Sequence, residues 1–271
     1  LSLTDVGEIY YDEGKYQEAE FWYQRALTIY EQTLGLDNPF AAKLLNGLAA
    51  LAQTLGQYSE AERLHKQVLA IRQRTLGLEA PETAIGLNNL ASFYHLQRQY
   101  AEAEPLYQQA LAIMTHTYGP AHPEIATCLN NLAALYGDQG DYAQAEALAQ
   151  QARTLVQQSL GGQHRALAPP LSNLAGIAKA QGRYGEAEAL YQQELDILQH
   201  TVAPEHPDIA RVLHDLATLS TTQGDYARAE SWYRQALAMR QQALGPEHPE
   251  VVTTLTHLGA LFRAQQKYPA A

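Results

Sequence analysis

A repeat of 42 residues constrains the fold of this chain more than any other feature of its sequence. Seven tyrosines stand 42 positions apart, each in a motif of the type GxYxEAE or a variant of it, at Tyr16, Tyr58, Tyr100, Tyr142, Tyr184, Tyr226 and Tyr268. A short period held without an insertion is typical of a solenoid, in which each unit buries its apolar face against its neighbours. The 271 residues therefore predict one repeat domain rather than two globular domains.

Each unit is predicted to contain two helices. In the fourth unit Ile125, Leu129 and Leu132 recur at helical spacing. Gly140 is expected to end that helix, because glycine adopts the left-handed conformation without steric cost, and a second helix is expected from about Tyr142 to about Leu160. The alternating apolar pattern of strands is absent, so the fold class predicted is all-α.

The residues of each unit resemble those of a known family. A tyrosine follows the turn, an alanine stands three positions later, and an aromatic residue follows at Tyr23, Tyr107, Tyr191 and Tyr233. This pattern resembles the tetratricopeptide repeat, and the segments LNNLA and YxEAExLYxxAL at a period of 42 resemble its kinesin-light-chain type. The resemblance implies a right-handed α-solenoid of helix-turn-helix repeats, with six helix pairs and one terminal helix.

The predicted repeats cover the whole chain as a single superhelical domain, 1–271. Their approximate bounds are 1–38, 39–80, 81–122, 123–164, 165–206, 207–248 and a partial repeat at 249–271. Polar capping repeats normally protect the ends of a solenoid, and neither end carries one. The sequence therefore predicts a module of a longer protein, or ends that contact something else.

Composition argues against several classes of function. The chain has 18 Lys and Arg against 29 Asp and Glu, a net charge of −11, which does not favour binding to a phosphate backbone. Its single cysteine, Cys128, fits a reducing compartment. No signal segment and no apolar run of about 20 residues is present. We expect a cytoplasmic protein that binds neither nucleic acid nor membranes.

The residues that most resemble catalytic or metal-binding groups have simpler explanations. His122, His206 and His248 precede prolines, with His164 in the same register, and one repeat separates each from the next. Stacked helices lie about 8–10 Å apart, whereas zinc needs nitrogens at about 2 Å, so these histidines are expected to cap loops. Cys128 is expected to be a small buried residue. We predict no enzyme activity, no metal and no cofactor.

The face of the first helices opposite the core is expected to line a concave groove. Beyond the first repeat this arc contains no carboxylate, which favours an extended peptide partner with acidic residues. In the family that the chain resembles, asparagines and basic side chains here hold partner peptides. The predicted contacts are Lys43, Asn46, Asn88, His95, Asn130, Lys179, Arg211 and His214.

Two interpretations of the asparagines stay open. Asn46, Asn88 and Asn130 either bind a peptide backbone or form a hydrogen-bond ladder between helices. For their neighbours Asn89, Asn131 and Asn173 the ladder is favoured.

The function predicted is a non-catalytic protein- or peptide-binding module. It is expected to act as the recognition or sensor domain of a larger protein, for which bacterial signalling ATPases are one context that the resemblance offers. The alternative is a scaffold that self-associates through exposed repeat ends.

One junction departs from the repeat. Ala149 replaces an aromatic residue or a histidine, Arg153 replaces leucine, and Arg165 replaces proline before the pair Pro169 and Pro170. A proline pair is expected to delay or kink the helix that follows. Residues 149–170 are thus predicted to form either a weak point of the stack or a shaped site.

Overall fold

A computed structural model describes residues 2–12, 14–33, 35 and 38–267. All regular structure within these ranges is helical. The helices are α1 (Leu3–Asp12), α2 (Tyr16–Thr33), α3 (Pro39–Thr54), α4 (Tyr58–Leu76), α5 (Pro81–Leu96), α6 (Tyr100–Tyr118), α7 (Ile125–Gln139), α8 (Tyr142–Leu160), α9 (Ala168–Ala180), α10 (Tyr184–Thr201), α11 (Pro207–Thr222), α12 (Tyr226–Leu244) and α13 (Pro249–Lys267), with a 3-10 helix at Arg165–Leu167.

The helices alternate as the sequence predicts. Odd-numbered helices are the first and even-numbered helices the second of each repeat, and every second helix begins at one of the periodic tyrosines. The all-α prediction and the predicted helix from Tyr142 to Leu160 are confirmed. Tyr268, the seventh tyrosine, lies outside the described residues.

Glycines in the left-handed region end the helices. Gly140 follows α7 with φ of 83°, as predicted, and Gly161 follows α8 with φ of 92°. Arg98 holds the place of Gly140 one repeat earlier and adopts φ of 59°. Because a side chain is disfavoured there, the turn between α5 and α6 is strained.

The periodic histidines cap the starts of the first helices. The ring Nδ1 atoms of His122, His164, His206 and His248 each accept a hydrogen bond from the backbone N–H two residues on, at 3.2–3.3 Å. This satisfies a donor that a helix start leaves open, and it confirms the prediction of loop-capping residues.

Alanines and aromatic residues build the core. Ala103 and Ala110 of α6 are fully buried, and Tyr23 and Tyr107 are among the largest fully buried side chains. Cys128 of α7 is buried as predicted, and burial raises the pKa of its thiol to about 11. Such a thiol stays protonated and packs as a small apolar group.

The chain divides into two compact units. Unit 1 is Leu1–Leu135 and unit 2 is Tyr136–Ala271, so the division falls within α7. It does not fall at residues 149–170, and whether that junction is a weak point or a site stays a prediction.

The proline pair delays the start of α9. α3, α5, α11 and α13 begin at the proline that Arg165 replaces, and α7 begins two residues after that register position, whereas α9 begins three residues after it at Ala168, following a 3-10 helix (168 − 165 = 3). Pro169 and Pro170 stand at the first positions of α9, where a missing N–H breaks no helical hydrogen bond. The predicted delay is confirmed, and α9 then runs without interruption from Ala168 to Ala180. Ala149 is fully buried.

Candidate functional site

The predicted contact residues lie on the first helices of the two units. We call this surface the first-helix face, formed in unit 1 by the outward sides of α3, α5 and the part of α7 up to Leu135, and in unit 2 by those of α9, α11 and α13. Its side chains recur at the 42-residue period, but the two units use different chemistry.

An asparagine ladder joins the first helices of unit 1. Asn89 Nδ2 on α5 donates to Asn46 Oδ1 on α3 at 2.9 Å, and Asn131 Nδ2 on α7 donates to Asn88 Oδ1 on α5 at 2.9 Å. All four side chains are half-buried. The ladder predicted for Asn89 and Asn131 is confirmed, and Asn46 and Asn88 take part in it as acceptors.

The ladder also fixes how Asn46 and Asn88 present their amides. Each uses its oxygen as an acceptor, so its amide nitrogen still carries two N–H donors. Binding and ladder formation are therefore compatible for these two residues. Asn130 is half-buried on α7 in the same register.

The ladder does not extend from α3 to α1. Gly47 stands at the position of Asn89, and a Cβ placed on Gly47 would lie 2.8 Å from Cζ of Tyr23. The buried tyrosine ring therefore occupies the space that an asparagine side chain would need.

Lys43 is not a free cation. Its Nζ lies 2.7 Å from Oδ1 of Asp5 and 3.0 Å from Oε2 of Glu8, both on α1. The hydrogen bond that Lys43 donates to Asp5 lowers the pKa of Asp5 and raises the pKa of Lys43. His95 lies at the far end of α5, with its ring centroid 5.8 Å from that of Tyr100 and 6.3 Å from that of Tyr107.

In unit 2 the first-helix face is ionic. Arg211 of α11 donates from Nη1 to Ser172 Oγ at 2.9 Å and to Asp215 Oδ2 at 3.3 Å, and from Nη2 to Oε1 of Glu194. Glu194 on α10 is 0% exposed, and its second oxygen has no hydrogen-bond partner among the described residues. Burial raises the pKa of Glu194 to about 7, although Arg211 acts in the opposite direction.

Carboxylates compensate two of the predicted cations. Asp215 and Glu194, which lie outside the predicted arc, compensate Arg211, and Asp5 and Glu8 of the first repeat compensate Lys43. These two cations therefore offer a partner no unpaired charge, and an acidic partner stays a prediction. Asp215 shares the register of Asn89 (215 − 126 = 89), which was the signal available in the sequence.

Lys179 differs from the other two cations. It is half-buried on α9, and burial lowers its pKa while the charge of Asp215 opposes that change. No carboxylate of the described residues lies within ion-pair distance of it. Lys179 thus offers an ammonium group to this face that no carboxylate holds directly.

A histidine pair takes the place of the asparagine ladder between α11 and α13. The ring centroids of His214 and His257 are 4.7 Å apart, and Tyr233 of α12 packs against both. Arg240 Nη1 lies 3.4 Å from Nδ1 of His214 and donates to Thr254 Oγ1 at 2.6 Å. Burial, assisted by the charge of Arg240, lowers the pKa of His214 to about 4.

The described residues contain no group of three His, Cys, Asp or Glu side chains placed to hold a metal ion. None of the described helices is long and apolar enough to cross a bilayer. The side chains of both first-helix faces donate and accept hydrogen bonds and carry charges, and such groups can recognise polar groups of a partner.

The repeat matches a known family. The sequence pattern of the tetratricopeptide repeat matches residues 1–74, 82–158, 131–200, 167–242 and 208–271, and a second pattern of the same description matches residues 46–114. Among curated proteins, none matches this sequence.

Solved structures of several repeat proteins are similar. A Podosopora anserina protein described as a kinesin light chain with nearly identical TPR-like repeats is 29% identical, over 75% of this chain and 97% of its own, with a TM-score of 0.56. BtubC (BKLC) of P. vanneervenii is 22% identical over 88% and 92% of the two chains, with a TM-score of 0.61. A tetratricopeptide repeat protein of Parabacteroides merdae is 17% identical over 96% and 83%, with a TM-score of 0.66. The last two show the fold alone.

Proposed function

Since this chain belongs to the tetratricopeptide repeat family, whose members are protein-interaction modules, we propose that each first-helix face binds an extended peptide segment of a protein partner. The observation that carries the proposal is the row of oriented amides on unit 1. Asn46 and Asn88 stand one repeat apart, and their partners hold each of them through its oxygen. An extended peptide presents carbonyl groups that such N–H donors recognise.

The residues proposed to contact the partner are of two kinds. On unit 1, Asn46, Asn88 and Asn130 donate to the peptide backbone, while His95 lines the end of the same helix face. Lys43 acts mainly as a link between α3 and α1.

On unit 2, Lys179 is the proposed contact for an acidic group of the partner, because no carboxylate holds it directly. Arg211 and His214 shape the face beside it. Arg211 is held by Glu194 and Asp215, and His214 stays neutral near pH 7 because burial lowers its pKa.

The same proposal includes the context of the module. We place it in the cytoplasm, as the recognition or sensor part of a larger protein, of which a bacterial signalling ATPase is one candidate. Its role there is non-catalytic, since recognition needs only the hydrogen-bond donors and the ammonium group described above.

The experiment compares affinity capture by three proteins. In N46D/N88D the aspartates keep an oxygen for the ladder but lose both N–H donors, so a bound partner should be lost while the melting temperature stays close to that of the wild type. Gln109→Glu, on the exposed side of α6, adds charge elsewhere and should retain the partner. A partner that N46D/N88D retains in full contradicts the assignment of the unit 1 face.

A second function, self-association, is favoured by one observation. Val252 and Leu255 of α13 are 53% and 47% exposed, whereas Ala210 and Leu213, one repeat earlier on α11, are 1% and 4% exposed. A second copy that covers this apolar strip would make the protein a self-associating scaffold. Sedimentation should then show a mass that rises with concentration, and Leu255→Glu should abolish the rise. A constant monomer mass for the wild type contradicts it.

A further inference from the structure

A cavity opens on unit 1 on the side of the second helices, away from the first-helix face. It lies between α2 and α4, over α3, and its volume is about 200 Å³. Leu45, Leu48 and Leu64 contribute to its floor, and Glu20 and Glu60 to its rim. Small-molecule pockets usually measure about 300–1,000 Å³, so this cavity suits a single large side chain better than a free ligand.

At the equivalent place in unit 2, an arginine bridges the second helices α8 and α10. Arg183, directly before α10, lies 2.8 Å from Oε2 of Glu146 on α8 and 2.7 Å from Oε2 of Glu186 on α10. One cation thus joins two carboxylates that stand on neighbouring second helices.

Unit 1 repeats the two carboxylates without the arginine. Glu20 holds the register of Glu146 (146 − 126 = 20), Glu60 holds that of Glu186 (186 − 126 = 60), and Gln57 holds that of Arg183 (183 − 126 = 57). Glu20, Gln57 and Glu60 all line the cavity. Two acidic groups therefore border the crevice at the place where unit 2 supplies its own cation.

The cavity of unit 1 also lacks the aromatic side chain that the next repeat has at this place. Between α4 and α6, Tyr94 of α5 fills the corresponding space, and its hydroxyl donates to Oε1 of Glu62 at 2.9 Å. One repeat earlier the position of Tyr94 is Ala52, which lines the cavity (94 − 42 = 52), and the position of Glu62 is Glu20. Ala52 leaves the room that a ring occupies in the next repeat.

The charges that remain favour a basic partner. Arg63 holds Glu60 through two hydrogen bonds, at 2.8 and 2.5 Å. Glu20 and Glu31 have no ion-pair or hydrogen-bond partner among the described residues. The charged lining residues Glu20, Glu31, Glu60 and Arg63 sum to −2 (−3 + 1).

We propose that this crevice is a second docking site, which binds a protein segment carrying an arginine next to a large apolar side chain. The arginine binds Glu20 and shares Glu60 with Arg63, in the place that Arg183 takes between Glu146 and Glu186, and the apolar side chain fills the space above Ala52 and the leucines. The planar guanidinium group pairs with two carboxylates at once, which favours arginine over lysine. The site is independent of the peptide binding proposed for the first-helix faces.

The test uses short fluorescein-labelled peptides of glycine and serine with a central Arg-Leu, Arg-Phe or Arg-Trp pair. The control peptides carry Glu in place of Arg, or Ser in place of the apolar residue. Fluorescence anisotropy should show that the best Arg-apolar peptide binds at least about tenfold more tightly than both of its controls.

Two variants close the crevice with groups that the chain uses elsewhere. Gln57→Arg restores the arginine that bridges α8 and α10 in unit 2, and Ala52→Tyr restores the tyrosine of the α4–α6 crevice. Each should weaken binding about tenfold or more while the melting temperature stays the same or rises, so that lost binding is not lost folding. N46D/N88D should bind these peptides like the wild type, which separates this site from the proposed function.

Three results would overturn the proposal. The first is that the Arg and Glu peptides bind equally well, or that no peptide binds. The second is that both closing variants bind the peptide as tightly as the wild type. The third is a wild-type dimer that Ala52→Tyr dissociates, since a second copy of the chain would then occupy the crevice.

Discussion

The first-helix faces of the two units occupy the same positions of the repeat but use different chemistry. In unit 1, neutral amides pair from helix to helix, as Asn89 does with Asn46. In unit 2, the same positions carry Asp215 and the packed pair His214 and His257, with Arg211 bound to the buried Glu194. The repeat therefore fixes where side chains meet, and the individual residues decide how the contact responds to substitution and to pH.

The largest expected effect comes from Arg211→Ala, which leaves the buried carboxylate of Glu194 without its cation. Loss of one partner of a buried ion pair lowers the free energy of unfolding by about 3–5 kcal/mol. Because the Arg211 side chain is 38% exposed, we expect a smaller decrease of about 2–3 kcal/mol. Urea denaturation measures it.

The matched control is the double variant E194A/R211A. Alanine occupies the register of Glu194 at Ala26, Ala110, Ala152 and Ala236, so the double variant should be more stable than Arg211→Ala alone. If Arg211→Ala unfolds within 0.5 kcal/mol of the wild type, the ionic contact of unit 2 does not stabilise it.

A smaller effect should appear only in acid. The pKa of His214 is lowered to about 4 from 6.5, so the neutral ring stabilises the fold above pH 6.5, and this contribution is lost as the pH falls through about 4. His214→Asn introduces the residue that unit 1 uses and should remove about 1 kcal/mol of the acid destabilisation. Melting temperatures between pH 7 and pH 4 test this, and an unchanged pH profile would refute it.

Glu194 changes the profile in the opposite direction. Its pKa is raised to about 7 from 4.5. The protonated carboxyl group therefore stabilises the fold fully below pH 4.5, and this stabilisation is lost as the pH rises through about 7. The His214→Asn comparison must therefore be made between proteins that both retain Glu194.

Removing one bond of the amide ladder should have a modest effect at any pH. Asn89→Ala deletes the donor to Asn46, and a neutral hydrogen bond contributes about 0.5–1.5 kcal/mol. Denaturation at pH 5 and at pH 7 should give the same loss, because no titrating group takes part in the bond. A loss that changes between these pH values would show that the amide ladder is not independent of charge.

The smallest effect has the opposite sign. Arg98→Gly should stabilise unit 1 by about 0.5–1 kcal/mol, since glycine adopts positive φ without strain, as Gly140 does one repeat later. Thermal unfolding measures the gain, and Arg98→Ala, which keeps a Cβ, is the control. Equal stabilities of the glycine and alanine variants would mean that the turn is not strained.

Much of the fold follows from the sequence because each repeat has the same local signals. The tyrosine that begins each second helix, the glycine at Gly140 and the histidine caps all act within a few residues of the chain. These signals can therefore be recognised in the sequence of one repeat without knowledge of the adjacent repeats.

Contacts between repeats are harder to predict. Glu194 on α10 and Arg211 on the facing helix α11 form an ion pair across 17 residues of sequence, and Asp215, one turn after Arg211 on the same helix, joins it. Likewise, the crevice over Ala52 depends on Glu20, Gln57 and Glu60 from three parts of two repeats. Such contacts appear in the sequence only when one repeat is aligned with the next.

The central claim is that the partner lies along the first-helix face of unit 1, and site-specific photocrosslinking tests it most directly. Ile85 of α5 is exposed and shares the register of Lys43, so benzoylphenylalanine at position 85 should crosslink to a partner in native lysate. The same group at Gln109 of α6 should not, and N46D/N88D should abolish the adduct at position 85. An adduct that forms at position 109 but not at position 85 would contradict the account.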